Sequence, residues 1–543
     1  MAQELARALA AHQAGQFAEA EALYREILAA RPDDFDALHL LGVLDYQNGR
    51  LARAADGIGR ALLVNPGSAE AHSNLGIMQT AQGSAAAALA SFERSLALRP
   101  DYAEALYNRA NVLRELQRHA EAIAGYEQAI ALKPGYADAW NNRGISLASL
   151  RRHGEAVASY DRAIALAPAY AEAHNNRGVS LRDLQRAEEA LASHDAALAL
   201  RPAYPEGFNN RGQALEALGC HTEALVSYGR AIELRPAYHD AIANRGLCRL
   251  LQGDYARGWP DYEERWKSAL LAPALRQFAC ARWHGQEDLR GKRILLHMEQ
   301  GLGDAIMALR YVPLVAARGA EVTLEIARAL APLLAGLQGV HRLVHQGEAL
   351  PETDFHCPLL SLPLAFGTTL ESIPAAIPYL AADKAAAAAW RARLAPRGEK
   401  LVGLSWRGNP DYPRDAERSF AFARYAPLLG LPGIRCVGLQ KELLDEERRA
   451  AAALPGFVHP GADFAGTAAL VAALDLVVTV DTSWGHWAGA IGKPVWVLLA
   501  YSPHWPWLTG RTDSPWYPSA RLFRQPAPGD WDSVIGNVKK ALA

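Results

Sequence analysis

The chain has 543 residues, of which 50% are apolar and 21% are charged. The chain is too long to fold around one compact core, and its composition excludes extensive disorder. Two or three folded units are therefore expected. A formal net charge of −2 at pH 7 gives no overall basic field. We therefore expect neither a nucleic acid nor an anionic membrane surface as a partner.

The cysteines and the N-terminal segment bear on the cellular compartment. Five scattered cysteines form neither the close pairs of a zinc site nor the dense framework of a secreted disulfide-rich domain. The first residues lack the apolar core of a signal peptide, and no later segment holds about eighteen uninterrupted apolar residues. These features predict a cytoplasmic protein without a membrane span.

The first half of the chain repeats with a period of about 34 residues. A small residue stands at the eighth place of each unit and Ala at the twentieth place of the first seven, which lets two antiparallel helices pack closely, and proline ends the second helix of these seven. This pattern resembles the tetratricopeptide repeat, so residues 1–266 are predicted to form an all-α solenoid of about eight units that binds an extended protein segment. The repeating prolines are Pro32, Pro66, Pro100, Pro134, Pro168, Pro202 and Pro236.

Asparagine stands at the sixth place of six successive units. Asn costs a helix roughly half a kcal/mol relative to Ala, and its amide both donates and accepts hydrogen bonds. The column resembles the asparagine ladder of the O-linked N-acetylglucosamine transferase repeats and is predicted to bind the backbone of a protein acceptor. The alternative is a neutral residue copied by duplication, and in either case Ala should favour the helices. The six residues are Asn74, Asn108, Asn142, Asn176, Asn210 and Asn244.

An arginine follows five of these asparagines, at Arg109, Arg143, Arg177, Arg211 and Arg245. These side chains either attract an acidic partner segment or pair with carboxylates of neighbouring helices, and the second use is the expected one.

The second half alternates short β-branched runs with helical stretches, which is typical of an α/β fold with parallel sheets. Residues 267–290 are predicted to be a linker, and two Rossmann-like halves follow at residues 291–381 and 382–543. Ligands of such sheets bind beyond the carboxyl ends of the strands. The turns after Glu299, Trp406, Gln440 and Val480 are therefore predicted to surround one cavity.

Two of these turns carry recognisable motifs. Gly301-Leu302-Gly303-Asp304 follows the first strand, and Asp481-Thr482-Ser483-Trp484-Gly485-His486 follows a later apolar strand. Together they resemble the ADP-heptose:lipopolysaccharide heptosyltransferase family. The resemblance implies a GT-B fold, with residues 291–381 on the acceptor side and residues 382–543 on the nucleotide-sugar donor side. It also implies that Asp304 is the catalytic base and that the second motif is the donor-phosphate turn.

The second motif is also suited to bind a phosphate on physical grounds. Where a strand turns into a helix, free backbone N–H groups and the positive end of the helix dipole point at the same place. Donor binding is accordingly predicted for seven further residues of these turns besides Asp481 and Thr482: Gly303, Arg407, Asn409, Gln440, Lys441, Ser483 and His486. Arg418 is a further basic candidate. No Asp-x-Asp motif precedes a predicted strand end in the cleft, so metal-independent transfer is expected, with a nucleotide-sugar as substrate and no cofactor.

Trp505, Trp507, Trp516 and Tyr517 lie in an aperiodic, proline-rich segment near the C-terminus. Such rings stack on sugars or bases, or they fill a core; core packing against the first α/β half is the expected use.

The combined features predict a glycosyltransferase that moves a sugar from a nucleotide-sugar to Ser or Thr of a protein held by the repeats, with flagellin as a plausible acceptor by resemblance. Two alternatives stay open. One is a non-catalytic repeat adaptor whose nucleotide-binding domain has lost its activity. The other is a heptosyltransferase-like enzyme that acts on a surface glycan.

Overall fold

The computed structural model describes every residue except Met1, Leu270, Pro273, Ala274, Ala335, Asp411, Pro413 and Pro455. Three of these residues belong to the predicted linker and thus lie outside the description. The N-terminal region is all-helical as far as Glu263, as predicted. Its helices are α1 (Ala2–Gln13), α2 (Phe17–Ala30), α3 (Phe35–Gln47), α4 (Leu51–Val64), α5 (Ala69–Ala81), α6 (Ala85–Leu98), α7 (Ala103–Glu115), α8 (His119–Leu132), α9 (Ala137–Ser149), α10 (His153–Leu166), α11 (Ala171–Asp183), α12 (Ala187–Leu200), α13 (Pro205–Ala217), α14 (His221–Leu234), α15 (His239–Leu251) and α16 (Tyr255–Glu263).

The small residue at the eighth place explains how each helix pair packs. A Cβ added to Gly144 would lie 2.5 Å from the ring of Tyr160 in the partner helix, so only glycine leaves room for this buried ring. Gly212 and Tyr228 make the same contact two repeats later in the chain. In these repeats the period therefore places a glycine against an aromatic ring, whereas in the second repeat Gly42 faces Ile58 instead.

The first α/β half contains a five-stranded sheet in which all paired strands are parallel. Its order is β1-β5-β2-β3-β4. The two-residue strand β1 lies within the segment predicted to be a linker. The strands are β1 (Ala281–Arg282), β2 (Arg293–His297), β3 (Glu321–Ile326), β4 (Val340–His345) and β5 (Phe355–Pro358), and the helices are α17 (Leu302–Ala308), α18 (Val312–Ala316) and α19 (Leu362–Ala365).

The second half contains a six-stranded parallel sheet of order β11-β10-β9-β6-β7-β8. The α/β prediction with parallel sheets is thus confirmed for the C-terminal region. The strands are β6 (Lys400–Ser405), β7 (Ile434–Gly438), β8 (Phe457–Val458), β9 (Leu476–Val480), β10 (Val495–Leu499) and β11 (Ala520–Arg524), and the helices are α20 (Lys384–Leu394), α21 (Asp415–Arg418), α22 (Asp445–Ala452), α23 (Phe464–Ala473), α24 (Ser483–Ala490) and α25 (Trp531–Leu542).

The chain divides into two compact units, Met1–Ala203 and Tyr204–Ala543, so the last two repeats belong with the α/β region. Within the second unit, the indole of Trp516 donates to the hydroxyl of Tyr255 in α16 at 2.8 Å. The Trp259 indole, also from α16, donates to the carbonyl of Thr368 at 2.8 Å. Both tryptophans are buried. The tryptophan-rich segment therefore fills a core, as expected, and that core includes the last repeat.

In the part of the chain that the structure describes, every helix is too short or too polar to cross a lipid bilayer.

Candidate functional site

The two motifs found in the sequence meet in the structure. Gly303 in α17 packs against α24, and a Cβ at Gly303 would lie 2.7 Å from the His486 ring and 3.5 Å from Cα of Ser483. A glycine is required there because any side chain would separate the two helices. The first turn of α17 and the first turn of α24 thus lie side by side, although about 180 residues separate them in sequence.

Asp304 is partly buried in the first turn of α17. Its carboxylate accepts no hydrogen bond and forms no ion pair among the described residues. The negative charge of Asp304 acts on Tyr262, Tyr412 and His486, so these three side chains are its ionisable neighbours. A carboxylate without a fixed partner at a junction between two sheets is chemically suited to accept a proton from a bound hydroxyl group.

Among the described residues, the first backbone N–H groups of α24 have no hydrogen-bond acceptor. Thr482 is the N-cap residue, but its hydroxyl bonds to the Thr479 hydroxyl at 2.9 Å and does not cap the helix. The first N–H groups of a helix have no intrahelical acceptor, so those of Ser483 and Trp484 face the turn with the positive end of the helix dipole. This end of α24 can therefore bind an anion.

His486 lies one turn into α24 and is buried. Its Nδ1 is 3.0 Å from the Tyr517 hydroxyl, and its Nε2 is 3.8 Å from Oδ1 of Asp481. Burial lowers the pKa of His486, whereas the nearby Asp481 and Asp304 carboxylates favour protonation and oppose that shift. The ring is consequently neutral at physiological pH and can donate only one hydrogen bond.

The predicted basic and amide residues occupy different environments. Arg407 forms an ion pair with Glu447, with Nε 3.2 Å from Oε1, and it also donates to the Glu442 carbonyl. Gln440 accepts from the Ser405 hydroxyl at 2.8 Å and so joins the ends of β6 and β7. Lys441 and Asn409 are exposed in the turns that follow these strands. Arg407 is therefore neutralised by a partner.

Arg418 lies closer to the second motif than the sequence suggested. Its Nη1 donates to the backbone carbonyl of Asp481 at 2.8 Å, and its Nε donates to Asp415 at 3.0 Å. The guanidinium also stacks on the ring of Tyr412 at 4.5 Å. Its Nη2 forms no hydrogen bond within the described part of the chain. Arg418 thus carries free N–H donors at the carboxyl end of β9.

The last repeat contacts the turn that precedes Asp304. Gln300 donates to the Tyr262 hydroxyl at 2.9 Å, and Arg265 donates to Oε1 of Glu299 at 3.1 Å. Burial raises the pKa of Glu299 to about 7, and the Arg265 charge acts against that rise. Oε2 of Glu299 is buried without a hydrogen-bond partner. Sequence reasoning missed this network because its members come from the repeat array and from the α/β region.

In the compact unit Met1–Ala203, asparagines of the column form hydrogen bonds between neighbouring repeats. Asn142 donates to the Tyr107 hydroxyl at 3.1 Å and to Oδ1 of Asn111 at 2.9 Å, and Asn176 donates to Oδ1 of Asn141 at 3.2 Å. Asn108, by contrast, forms no hydrogen bond to the other described residues. Most of these amides therefore already join one repeat to the next, which revises the expectation that Ala would favour every position.

Asn142→Ala and Asn108→Ala are expected to change stability in opposite directions. Loss of two hydrogen bonds at about 1 kcal/mol each exceeds the roughly 0.5 kcal/mol gained from the better helix propensity of Ala, so Asn142→Ala should lower the free energy of unfolding by about 1–2 kcal/mol. Asn108→Ala should raise it by roughly 0.5 kcal/mol. Urea unfolding midpoints of the two variants test this, and a stabilised Asn142→Ala variant would refute a structural role.

The compact unit Tyr204–Ala543 contains the same kind of hydrogen bond between repeats, because Asn244 donates to Oδ1 of Asn209 at 2.9 Å. Asn210 accepts from Nδ2 of Asn209 at 3.5 Å. The arginines that follow the asparagines pair with carboxylates, as expected: Arg143 binds Glu127 at 2.7 Å and Arg245 binds Asp261 at 2.7 Å. These arginines are therefore neutralised rather than presented as a basic stripe.

One group of potential metal ligands occurs among the described residues. Atoms of Glu216, His221 and Cys248 lie within 4.8 Å of one another in the last repeats. Glu216 accepts a 2.6 Å hydrogen bond from Tyr228, so its carboxylate already has a partner in the helix packing. None of the three residues belongs to the motifs around Asp304 and His486.

Known proteins share sequence features with this chain. Tetratricopeptide-repeat models match residues 11–75, 79–137, 107–171, 141–205 and 205–238. Protein FlbA of Caulobacter vibrioides (strain ATCC 19089 / CIP 103742 / CB 15) is 32% identical over 319 residues, which cover 54% of this chain and 53% of FlbA. The chain thus spans about half the length of this curated relative.

Two solved structures match shorter parts of the chain. The crystal structure of MamA is 28% identical, covers 29% of this chain and 91% of its own, and gives a TM-score of 0.28. YrrB, described as a TPR protein with an unusual peptide-binding site, is 24% identical, covers 35% of this chain and 97% of its own, and gives a TM-score of 0.31. The sequence matches and the helix pairs together establish that the N-terminal region is an array of tetratricopeptide repeats.

Proposed function

We propose that the protein is a metal-independent glycosyltransferase of GT-B type that transfers a sugar from a nucleotide-sugar to a protein acceptor. The observation that carries the proposal is the close contact of Gly303 with His486 and Ser483. This contact brings an unpartnered carboxylate, Asp304, beside a helix end that can bind an anion. Sugar transfer needs that combination, a base for the acceptor hydroxyl and a positive field for the departing diphosphate.

Each residue then has a defined task. Asp304 accepts the proton of the acceptor hydroxyl as the bond to the sugar carbon forms and the bond to the diphosphate breaks. The N–H groups at the start of α24 and the free Nη2 of Arg418 stabilise the charge that develops on the leaving diphosphate. Gln440 fixes the turn after β6 through Ser405 and is placed to orient the rest of the nucleotide.

The tetratricopeptide array supports a protein or peptide acceptor, because such repeats commonly bind extended segments. A Ser or Thr hydroxyl, for example of a flagellin, is the acceptor class that we propose. The inter-repeat hydrogen bonds of the asparagines leave less of each amide for an acceptor backbone than a free ladder would. Acceptor binding is therefore expected to use side chains of the repeats in addition to these amides.

Arg418→Ala tests the donor half of the proposal. Loss of a charge-assisted contact to a diphosphate should weaken the affinity for UDP, ADP, GDP or CDP, whichever binds, by roughly 10-fold or more. The matched control is Arg407→Ala. Both arginines pair with a carboxylate, Asp415 for Arg418 and Glu447 for Arg407, but Nη2 of Arg407 is already bonded to the Glu442 carbonyl and to Glu447, so this variant should change the affinity by less than about threefold. Isothermal titration calorimetry with the four nucleotides measures both effects.

Two other outcomes separate the alternatives. If the wild-type protein binds none of the four nucleotides, the proposal fails and a non-catalytic adaptor becomes the better explanation. If a nucleotide binds but intact-mass analysis finds sugar only on a glycan and never on a co-expressed protein partner, the enzyme modifies a surface glycan instead.

A further inference from the structure

A buried arginine lies behind His486. Arg310 is 3% exposed, and it forms no ion pair with any carboxylate of the described residues. Its guanidinium donates to the backbone carbonyls of Met307 at 2.9 Å and Trp516 at 2.8 Å, and to the Tyr379 hydroxyl at 3.3 Å. A buried charge without a counterion is costly, so its positive field acts on whatever polar groups lie beside it.

The Tyr517 ring is one of those neighbours, with the Arg310 guanidinium 4.8 Å from its centroid. Tyr517 is fully buried, and burial raises the pKa of its hydroxyl well above the usual value, so the hydroxyl keeps its proton. The Tyr379 hydroxyl, which donates to the Ile306 carbonyl at 3.0 Å, also lies beside the Tyr517 hydroxyl and can accept a hydrogen bond from it. Nδ1 of His486 lies 3.0 Å from the Tyr517 hydroxyl, and an unprotonated imidazole nitrogen is a stronger acceptor than a phenol oxygen.

The other ring nitrogen of His486 faces a carboxylate. Nε2 is 3.8 Å from Oδ1 of Asp481, and an ionised carboxylate can only accept hydrogen bonds. The Asp481 carboxylate therefore favours a proton on Nε2. The Tyr517 hydroxyl, as a donor, favours an Nδ1 that carries no proton. Both contacts select the same arrangement of the neutral ring.

We propose that Tyr517 is a positioning residue that holds His486 as the neutral ring with its proton on Nε2, so that this nitrogen is an N–H donor beside the N-terminal end of α24. Arg310 supports this role because its positive field polarises the Tyr517 O–H bond toward donation. At 3.8 Å from Asp481, the Nε2–H group has an opposite charge nearby but no full hydrogen bond to it. Only the effect on ligand binding rests on the proposed function; the position of the proton does not.

Nuclear magnetic resonance of the full-length protein with ¹⁵N-labelled histidine tests the proposal without any ligand. The chain has 17 histidines, and the spectrum of His486→Gln identifies the signal of His486 by its loss. We expect a protonated Nε2 and an unprotonated Nδ1 in the wild type. In Tyr517→Phe, the Nδ1 signal should shift and a population with the proton on Nδ1 should appear, because the hydroxyl donor is lost.

The matched control is Tyr425→Phe, which removes another buried hydroxyl, one that donates to the Ser405 carbonyl at 3.1 Å. It should leave the His486 signals unchanged. Nucleoside diphosphate affinity should fall roughly fivefold in Tyr517→Phe, the effect of one neutral hydrogen bond, and by less in Tyr425→Phe.

A wild-type spectrum with the proton on Nδ1 would overturn the proposal, and this result does not depend on whether the variant folds. A His486 signal that is unaffected by Tyr517→Phe would also overturn it. If the wild type has the expected proton position but binds no nucleoside diphosphate, the proposed function fails while the role of Tyr517 stands.

Discussion

Asp304→Asn is expected to lower sugar transfer by roughly 100-fold or more, the usual effect of losing a general base. Asn keeps the size and shape of the side chain but cannot accept a proton from the acceptor hydroxyl. Because Asp304 forms no hydrogen bond or ion pair with the other described residues, the substitution breaks no native contact and should leave the free energy of unfolding nearly unchanged. Transfer is measured by the mass of the acceptor, and nucleotide affinity is measured by calorimetry.

Asp354→Asn is the matched control. Asp354 lies just before β5, at the N-terminal ends of the strands of the same sheet, and its carboxylate accepts from the backbone N–H of Arg293 at 2.8 Å. It should affect stability slightly and transfer very little. Wild-type transfer in Asp304→Asn would remove Asp304 from the catalytic role, whereas a joint loss of transfer and nucleotide affinity would indicate that Asp304 shapes the donor site instead.

Removal of the first six repeats should leave a folded nucleotide-binding protein, whereas removal of all eight should not. A chain of residues 204–543 keeps α16, and with it the Trp259 and Arg265 contacts. A chain of residues 267–543 loses both. The missing Arg265 removes the cation beside Glu299, whose pKa burial already raises to about 7, so this carboxyl loses its ion pair and is neutralised by a proton or solvated by water. The missing rings of Tyr255 and Trp259 expose the buried surface of Trp505 and Trp516, and together these losses approach the whole stability of an ordinary domain.

Thermal unfolding and size-exclusion chromatography of the two truncated chains measure this difference. The chain of residues 204–543 should unfold cooperatively and bind the same nucleotide as the full-length protein within about threefold, a difference below about 1 kcal/mol. The chain of residues 267–543 should aggregate or lack a cooperative transition. Two equally stable truncated chains would show that α16 is dispensable for the α/β region.

The fold was largely predictable, because its signals lie within short stretches of sequence. A small residue in each repeat unit and a proline at the end of the first seven suffice to predict the repeats, and apolar runs locate most of the longer strands to within about two residues. The sequence analysis misses β1 and β8, which are only two residues long, and also β11, which lies in the segment interpreted as aperiodic. Such short strands have no periodicity of their own and form only because a neighbouring strand offers hydrogen-bonding groups.

The candidate site was predictable only where its residues are close together in the sequence. The motifs at Asp304 and Asp481 are continuous in sequence, so their residue types were sufficient to find them. Arg407 follows a strand end as closely as a ligand-binding residue should, yet it is bound by Glu447, which is remote in the sequence. The contact of Arg310 with Trp516 spans 206 residues. One signal was available in the sequence, since Arg310 interrupts an apolar stretch, and charged residues at such positions usually have a specific partner.

The boundary between Ala203 and Tyr204 falls at a joint between two repeats. Gain or loss of a whole repeat unit upstream of that joint alters the length of the array without disturbing the buried contacts around Glu299 and Trp516. Each repeat touches mainly its neighbours, so such changes have local energetic effects. Evolution can therefore adjust the length of the array one repeat at a time, while the two repeats next to the α/β region stay under the constraints of the core that they share with it.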